Sequence, residues 1–148
     1  MPAPNPTHEE LYNWVIGYQK FWNEGDLEGW IANYRTVLEG EVVRMLDPVG
    51  TPEKFGFENC CVESFKLFQD HVKLEIPEDT LFILDNTVAW LIQNHITSSG
   101  KTGIAKSLEF FIFEPDGSLT IRTWYDVHGA RSGEIAASMR TYLPDSFS

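Results

Sequence analysis

The sequence predicts an α+β domain in which the helices come first and lie on one side of a curved sheet. The first half places its apolar residues at helical spacing, whereas the second half consists of apolar strands separated by short polar turns. The 148 residues are 43% hydrophobic and 14% aromatic, which suits one domain with a substantial core. We therefore expect a single domain over residues 1–148, with its core at about residues 8–128 and a C-terminal tail at 129–148.

Three helices are predicted in the first half of the chain. Thr7 and Glu10 have the spacing of a capping box, in which a hydroxyl and a carboxylate satisfy backbone N–H groups where a helix begins. Gly25 is expected to end this first helix, and Asp26 can cap the second. A third helix is predicted to run from about Phe57 to Val72.

Strands are predicted from residue 41 onward. Residues 41–47 alternate between polar and apolar side chains, and the Pro-containing segment 48–52 ends this strand. Turn-forming residues separate the later segments, so we expect an antiparallel meander. The later predicted strands cover residues 72–76, 80–84, 87–97, 102–113 and 118–128.

Charge and composition exclude several classes of protein. A formal net charge of −11 argues against nucleic acid and anionic membranes as partners, because their phosphates would be repelled. No apolar run reaches the length of a membrane span, and the N-terminal residues do not resemble a secretory signal. Cys60 and Cys61 are adjacent and provide no disulfide framework, so we expect a cytoplasmic protein.

Asp47 is the first candidate for chemistry. It ends a predicted strand on the same face as Met45, and a carboxylate on an apolar face should have a raised pKa, as a general base requires. The alternative interpretation is structural, since Asp before Pro commonly begins a turn.

Glu109 is the second candidate. It shares a strand face with Phe111 and Phe113, where a carboxyl group either faces solvent or lies neutral in an apolar pocket. A neutral carboxylic acid donates a hydrogen bond and can stabilise an oxyanion. Apolar residues occur on both faces of this strand, so its alternation does not decide between the two interpretations.

Weaker candidates lie on the first helix and on two strands. Tyr18 belongs to the apolar side of the first helix, where a tyrosine is commonly a core residue. Trp124, Asp126 and His128 share one face of the last strand, and a carboxylate with a nearby histidine can form an acid–base pair. His95 could line a pocket or contact a second copy of the chain.

Motifs for metals and cofactors are missing from the sequence. The four histidines lack metal-ligand spacing. There is also no phosphate-binding glycine loop, no nucleophile elbow and no dinucleotide fingerprint. These observations argue against a zinc site and against a dinucleotide cofactor.

The segments YQKFWNEGDLEGW (18–30) and LDPVG (46–50) resemble the ketosteroid isomerase and SnoaL-like superfamily. The turn FEPDG (113–117), followed by Trp124 and Tyr125, fits a late hairpin of the same group. The resemblance extends over about residues 8–128. It implies a cone-like α+β fold, named after nuclear transport factor two, whose curved antiparallel or mixed sheet wraps around a pocket beside about three helices.

The resemblance also implies roles for individual residues. Tyr18 matches the tyrosine that binds the oxyanion, Asp47 the carboxylate that shuttles a proton, and Glu109 a protonated aspartic acid that supports the oxyanion. Asp126 replaces a pocket tryptophan and matches an acid–base aspartate of SnoaL-like cyclases. The expected substrate-binding residues are Met45, His95, Phe111, Phe113, Trp124 and His128.

These residues together predict a cofactor-independent acid–base enzyme, an isomerase or a lyase, for a small and largely apolar carbonyl or hydroxylated substrate. One alternative is an epoxide hydrolase in which Asp47 or Asp126 activates water. Another is a binding module without chemistry.

Apolar residues on both faces of the long strands predict a homodimer. Leu108, Phe110 and Ile112 alternate with Phe111 and Phe113, and helices can cover only one face of the sheet. A second copy packed sheet to sheet would bury the other face.

Overall fold

A computed structural model of the protein describes residues 5–98 and 100–126. Its helices are α1 (His8–Glu24), α2 (Leu27–Arg35) and α3 (Glu63–Phe68), with a π-helical turn at Glu58–Val62 and a 3-10 turn at Glu78–Thr80. Its strands are β1 (Val43–Leu46), β2 (Lys54–Phe55), β3 (Val72–Glu75), β4 (Phe82–Leu84), β5 (Thr87–Ser98), β6 (Lys101–Phe113) and β7 (Leu119–Tyr125). Three helices beside a curved, unclosed mixed sheet confirm the predicted α+β class.

Local signals at the helix ends are confirmed. The Thr7 side chain accepts a hydrogen bond from the Glu10 backbone N–H, and the Glu10 side chain accepts one from the Thr7 backbone N–H. Gly25 ends α1 with φ of +68°, a left-handed conformation that glycine adopts without strain. Asp26 caps α2 through Gly29 N. No helix in the described ranges is long and apolar enough to cross a membrane.

The sheet follows the order β2-β1-β7-β6-β5-β3, and β4 also pairs with β5. β1 runs parallel to β7, while the other pairs are antiparallel. The sequence did not predict β2, which is only two residues long. The third helical region is also shorter than the predicted segment 57–72, since it begins with the π-helical turn and α3 ends at Phe68.

Side chains of α1 satisfy the backbone of β3 at the edge of the sheet. Trp22 Nε1 donates to Val72 O at 2.8 Å. Asn23 accepts from Leu74 N at 2.7 Å and donates to Leu74 O at 2.8 Å. These bonds pair backbone groups that would otherwise be left open for another strand, and they fix α1 across the inner face of the sheet.

One part of the interior is filled by a ring cluster of Trp14, Trp90, Phe111 and Phe113. Trp14 is fully buried, and its ring centroid lies 5.4 Å from Trp90, 5.2 Å from Phe111 and 5.4 Å from Phe113. Such contacts exclude water and leave no room for a ligand. Among the described residues, the enclosed space for a site lies beyond this cluster.

Candidate active site

A cavity of about 60 Å³ lies between the helices and the inner face of the sheet. Most of its wall is apolar, and Met45, Phe111 and Ile121 are part of it. Hydroxyl, amide and carboxyl groups are also part of the wall. They belong to Tyr18, Tyr34, Asp47, Ser64, Asn94, Glu109, Thr123 and Tyr125.

The carboxyl group of Asp47 enters the cavity directly after β1 ends. Its Oδ1 is enclosed and has no hydrogen-bond partner among the described residues. The Tyr125 hydroxyl is hydrogen-bonded to the same carboxyl group. Burial raises the Asp47 pKa, while the positive charge of Lys54 and the bond from Tyr125 oppose that rise. Asp47 is therefore an acceptor with one oxygen free for a ligand.

The buried side chain of Lys54 is hydrogen-bonded to the backbone of Asp47, a contact that the sequence did not predict. It lies on β2 opposite Met45, it is fully buried, and its Nζ donates to the Asp47 backbone oxygen at 2.9 Å. Burial lowers the Lys54 pKa, and the nearby Asp47 carboxylate counteracts this. Lys54 follows Pro48 and Pro52 and precedes Gly56, which is typical of an exposed loop. No sequence pattern therefore indicated that its side chain is buried.

Glu109 lies on the inner face of β6 and is only 7% exposed. Burial, followed by the negative charge of Asp47, raises its pKa from 4.5 to about 7. The Ser107 hydroxyl donates to Glu109 Oε2 at 2.7 Å and opposes the rise. The buried Trp90 indole N–H also opposes it, although it lies outside normal hydrogen-bond geometry. Glu109 therefore keeps its proton to a higher pH than an ordinary glutamic acid does.

Two tyrosines from the helices complete the wall near Glu109. Tyr18 on α1 is 9% exposed, and its ring packs 5.0 Å from Trp90. Tyr34 on α2 is hydrogen-bonded to the Cys61 thiol, and burial raises the Tyr34 pKa well above its ordinary value. Tyr34 is therefore neutral near neutral pH. Tyr34 was not identified as a site residue because it lies on an ordinary apolar helix face.

The structure does not bring every predicted site residue to the cavity. β7 directs Thr123 and Tyr125 inward, so Trp124, which is 42% exposed, and Asp126 lie on the outer face. The structure thus places Trp124 and Asp126 away from the cavity wall, because Ser107 on the inner face of β6 pairs with Tyr125. The sequence alone did not provide this register.

Of the remaining predicted site residues, some lie on the cavity wall and others do not. Tyr18, Met45, Asp47, Glu109 and Phe111 lie on the cavity wall. In contrast, Phe113 packs in the ring cluster. His95 points outward, where its Nε2 lies 2.9 Å from Glu75 Oε1. His128 falls outside the described residues.

The donor set of the cavity does not resemble a metal site. Within residues 5–98 and 100–126, no three or more His, Cys, Asp or Glu side chains are grouped so that they could hold a metal ion. Asp47 and Glu109 are instead surrounded by aromatic rings and hydroxyl groups. The arrangement offers one free carboxyl oxygen beside several neutral donors, which is suited to proton transfer.

No protein-family model and no curated protein matches the sequence. Solved structures do match the fold. The epoxide hydrolase/cyclase-like enzyme SalBIII is 20% identical, with a TM-score of 0.63 over 84% of this chain and 96% of that one. A putative SnoaL-like polyketide cyclase from Jannaschia sp. CCS1 is 13% identical, with a TM-score of 0.62 over 97% and 100%. An epoxide hydrolase of the LEH-like type from M. tuberculosis is 14% identical, with a TM-score of 0.58 over 82% and 86%. The chain therefore has the SnoaL-like, nuclear transport factor two-like fold that the sequence segments resemble.

Proposed function

We propose that the protein is a cofactor-independent acid–base enzyme for a small, largely apolar carbonyl or hydroxylated compound. The observation that carries the proposal is the placement of two buried carboxyl groups, Asp47 and Glu109, in one apolar cavity. Burial raises the pKa of both groups, but Lys54 and Tyr125 oppose the rise at Asp47, whereas the negative charge of Asp47 adds to the rise at Glu109. Environments that separate two carboxyl groups in this way distinguish a base from an acid.

In the proposed reaction, the Asp47 carboxylate removes a proton from the carbon next to a carbonyl group. The electrons of the C–H bond move onto the carbonyl oxygen, and the Tyr18 hydroxyl and neutral Glu109 donate hydrogen bonds to this oxyanion. When the substrate has a C=C bond between the β and γ carbons, the intermediate is a dienolate; Asp47 returns the proton to the γ carbon, the double bond moves to the α,β position, and the product is an isomer. When the electrons instead expel a leaving group from the neighbouring carbon, the reaction is an elimination.

The volume of the cavity limits the substrate. A cavity of about 60 Å³ is smaller than the ~150 Å³ void that holds a benzene molecule. A complete steroid nucleus therefore does not fit between the described residues. We infer a substrate of a few carbon atoms, or a longer one of which only the reacting end enters.

The proposal is tested by the exchange of α-protons of small ketones for deuterium in D2O, followed by NMR. General-base catalysis contributes about 10²–10⁴-fold, and we expect Asp47→Asn to lose this factor. The matched control is Asp70→Asn, the same chemical change at an exposed position, and it should exchange at the wild-type rate. Unchanged exchange in Asp47→Asn would contradict the proposal, as would the absence of exchange for every ketone that binds.

A second candidate is activation of water by Asp47, with attack on an epoxide. The enclosed Asp47 Oδ1 without a partner favours it, because a water molecule could occupy that position. Two of the similar structures are named as an epoxide hydrolase/cyclase-like enzyme and an LEH-like epoxide hydrolase. Incubation with small epoxides in ¹⁸O-labelled water discriminates the two reactions, since only hydrolysis incorporates solvent oxygen into the product.

A homodimer and a reducing compartment complete the proposal. Leu91, Ile104, Leu108 and Trp124 form an outer patch on the sheet and are each 39–46% exposed. We infer that a second copy covers this patch, which light scattering would refute by showing a monomer at micromolar concentration. Cys60 and Cys61 are free thiols, as is usual in the cytoplasm.

A further inference from the structure

A chain of hydrogen bonds leads from Asn94 through Ser107 to Glu109 on the inner faces of β5 and β6. Asn94 Nδ2 donates to Ser107 Oγ at 3.0 Å, and Ser107 Oγ donates to Glu109 Oε2 at 2.7 Å. All three residues are at most 7% exposed. In such surroundings water does not substitute for these bonds, so their directions matter.

A backbone carbonyl fixes the direction of the chain. Asn94 Nδ2 also lies 2.8 Å from Ala105 O, and a carbonyl oxygen can only accept. This contact identifies the Asn94 atom as the NH2 group, which then donates to Ser107 Oγ as well. Within the described part of the chain, the Ser107 hydroxyl has only Glu109 Oε2 as acceptor for its own proton.

We propose that Asn94 and Ser107 are positioning residues that hold the acidic proton of Glu109 on Oε1. Because Oε2 accepts from Ser107, it acts as the carbonyl oxygen of the neutral acid, and the O–H bond is formed at Oε1. The inference deepens the proposed function, since Oε1 is then the atom that donates to the substrate oxyanion. Neither residue needs to touch the substrate for this role.

Other groups that face Glu109 are unchanged by substitution of Ser107. The other described titratable residues on the cavity wall are Asp47 at the end of β1, Tyr18 on α1, Tyr34 on α2, Cys60 in the π-helical turn and Tyr125 on β7. Asp47 acts by its negative charge, and Tyr34 is neutral near pH 7 because burial raises its pKa. The Lys54 Nζ donates a hydrogen bond to the backbone oxygen of Asp47. A change in the titration of Glu109 on replacing Ser107 therefore reports on the hydrogen bond itself.

The test is a pH titration followed by NMR in protein labelled with ¹³C at the glutamate carboxyl carbons, with Glu109→Gln used to assign the Glu109 signal. A donor to a carboxylate favours the ionised form, so Ser107→Ala should raise the Glu109 midpoint by about one pH unit. Ser107→Thr retains the hydroxyl group and should restore a midpoint close to that of the wild type. The matched control is Ser64→Ala. Ser64 also lines the cavity, but its hydroxyl donates to Cys60 O, so the Glu109 midpoint should not move.

Asn94→Leu is a second variant, for which we expect a smaller change in the Glu109 midpoint. The Ser107 hydroxyl keeps its proton but loses the group that orients it, so the Glu109 midpoint should rise by less than in Ser107→Ala. A fall of the midpoint in Ser107→Ala would show that Glu109 donates to Ser107, and no change would show that the bond is unimportant. Either result overturns the inference. Because the titration needs no substrate, these results are distinct from a failure of the proposed function in the exchange experiment.

Discussion

Burial of side chains has opposite effects on stability at the ring cluster and at the cavity. At the ring cluster, burial of Trp14, Trp90 and Phe113 removes apolar surface from water and stabilises the fold. At the cavity, the same inner face of the sheet buries the carboxyl groups of Asp47 and Glu109, which costs stability whenever they ionise. The contrast shows that burial on one inner face has two effects: it stabilises the fold at the ring cluster and raises the pKa values of the carboxyl groups at the cavity.

The largest expected effect is the loss of a ring from the ring cluster. Phe113→Ala should lower the free energy of unfolding by about 3–5 kcal/mol, since the side chain is fully enclosed against Trp14. Its matched control is Phe82→Ala on β4, where the side chain is 60% exposed, and the cost should stay below about 1 kcal/mol. Urea denaturation measures both values. Similar losses in the two variants would contradict the assignment of the core to this cluster.

The next effect concerns the dependence of stability on pH at the cavity end. The pKa of Glu109 rises from 4.5 to about 7 on folding, so its favourable contribution is fully present below pH 4.5 and is lost as the pH increases through about 7. The wild type should therefore lose about 3 kcal/mol relative to Glu109→Gln between pH 4.5 and pH 8. Urea denaturation of both proteins across this range isolates the group. Parallel curves would mean that Glu109 ionises as readily in the folded state as in the unfolded chain.

A smaller effect is expected from the buried lysine. Lys54→Met keeps the volume of the side chain but removes the bond to the Asp47 backbone oxygen, which should cost about 1–3 kcal/mol. The Asp47 pKa should also rise, because the opposing positive charge is lost. Lys66→Met is the control, since Lys66 is half exposed and forms only surface ion pairs. Equal unfolding free energies for the two variants would show that Lys54 does not support the site.

Features that depend on interactions between residues close in sequence were predicted, whereas features that depend on strand pairing were not. Thr7, Gly25 and Asp26 act on backbone groups within a few residues, and their positions predicted the ends of the helices. Asp47 and Glu109 were recognised because a carboxyl group among apolar neighbours is conspicuous. By contrast, the burial of Lys54 depends on pairing with β1, and the sequence did not indicate that β1 runs parallel to β7.

The errors in the site have a similar cause. Successive side chains of β7 point to opposite faces of the sheet, as predicted. This alternation does not determine which set faces inward, and Trp124 and Tyr125 are each suited to either face. Only the register with β6, in which Ser107 pairs with Tyr125 and Leu108 with Trp124, decides it. For this reason the sequence favoured Asp126, which the structure places outside the cavity wall, and did not indicate Tyr125, which lies on it.

The central claim is that Asp47 acts as the base while Glu109 acts as the neutral acid in one cavity. The most direct measurement is the pH dependence of kcat/KM for α-proton exchange in the wild type and in Glu109→Gln. The account predicts a bell-shaped profile for the wild type, with activity falling above an apparent pKa of about 7 as Glu109 loses its proton. In Glu109→Gln this falling limb should disappear, while the rising limb from Asp47 remains. A falling limb that persists unchanged in Glu109→Gln would contradict the account.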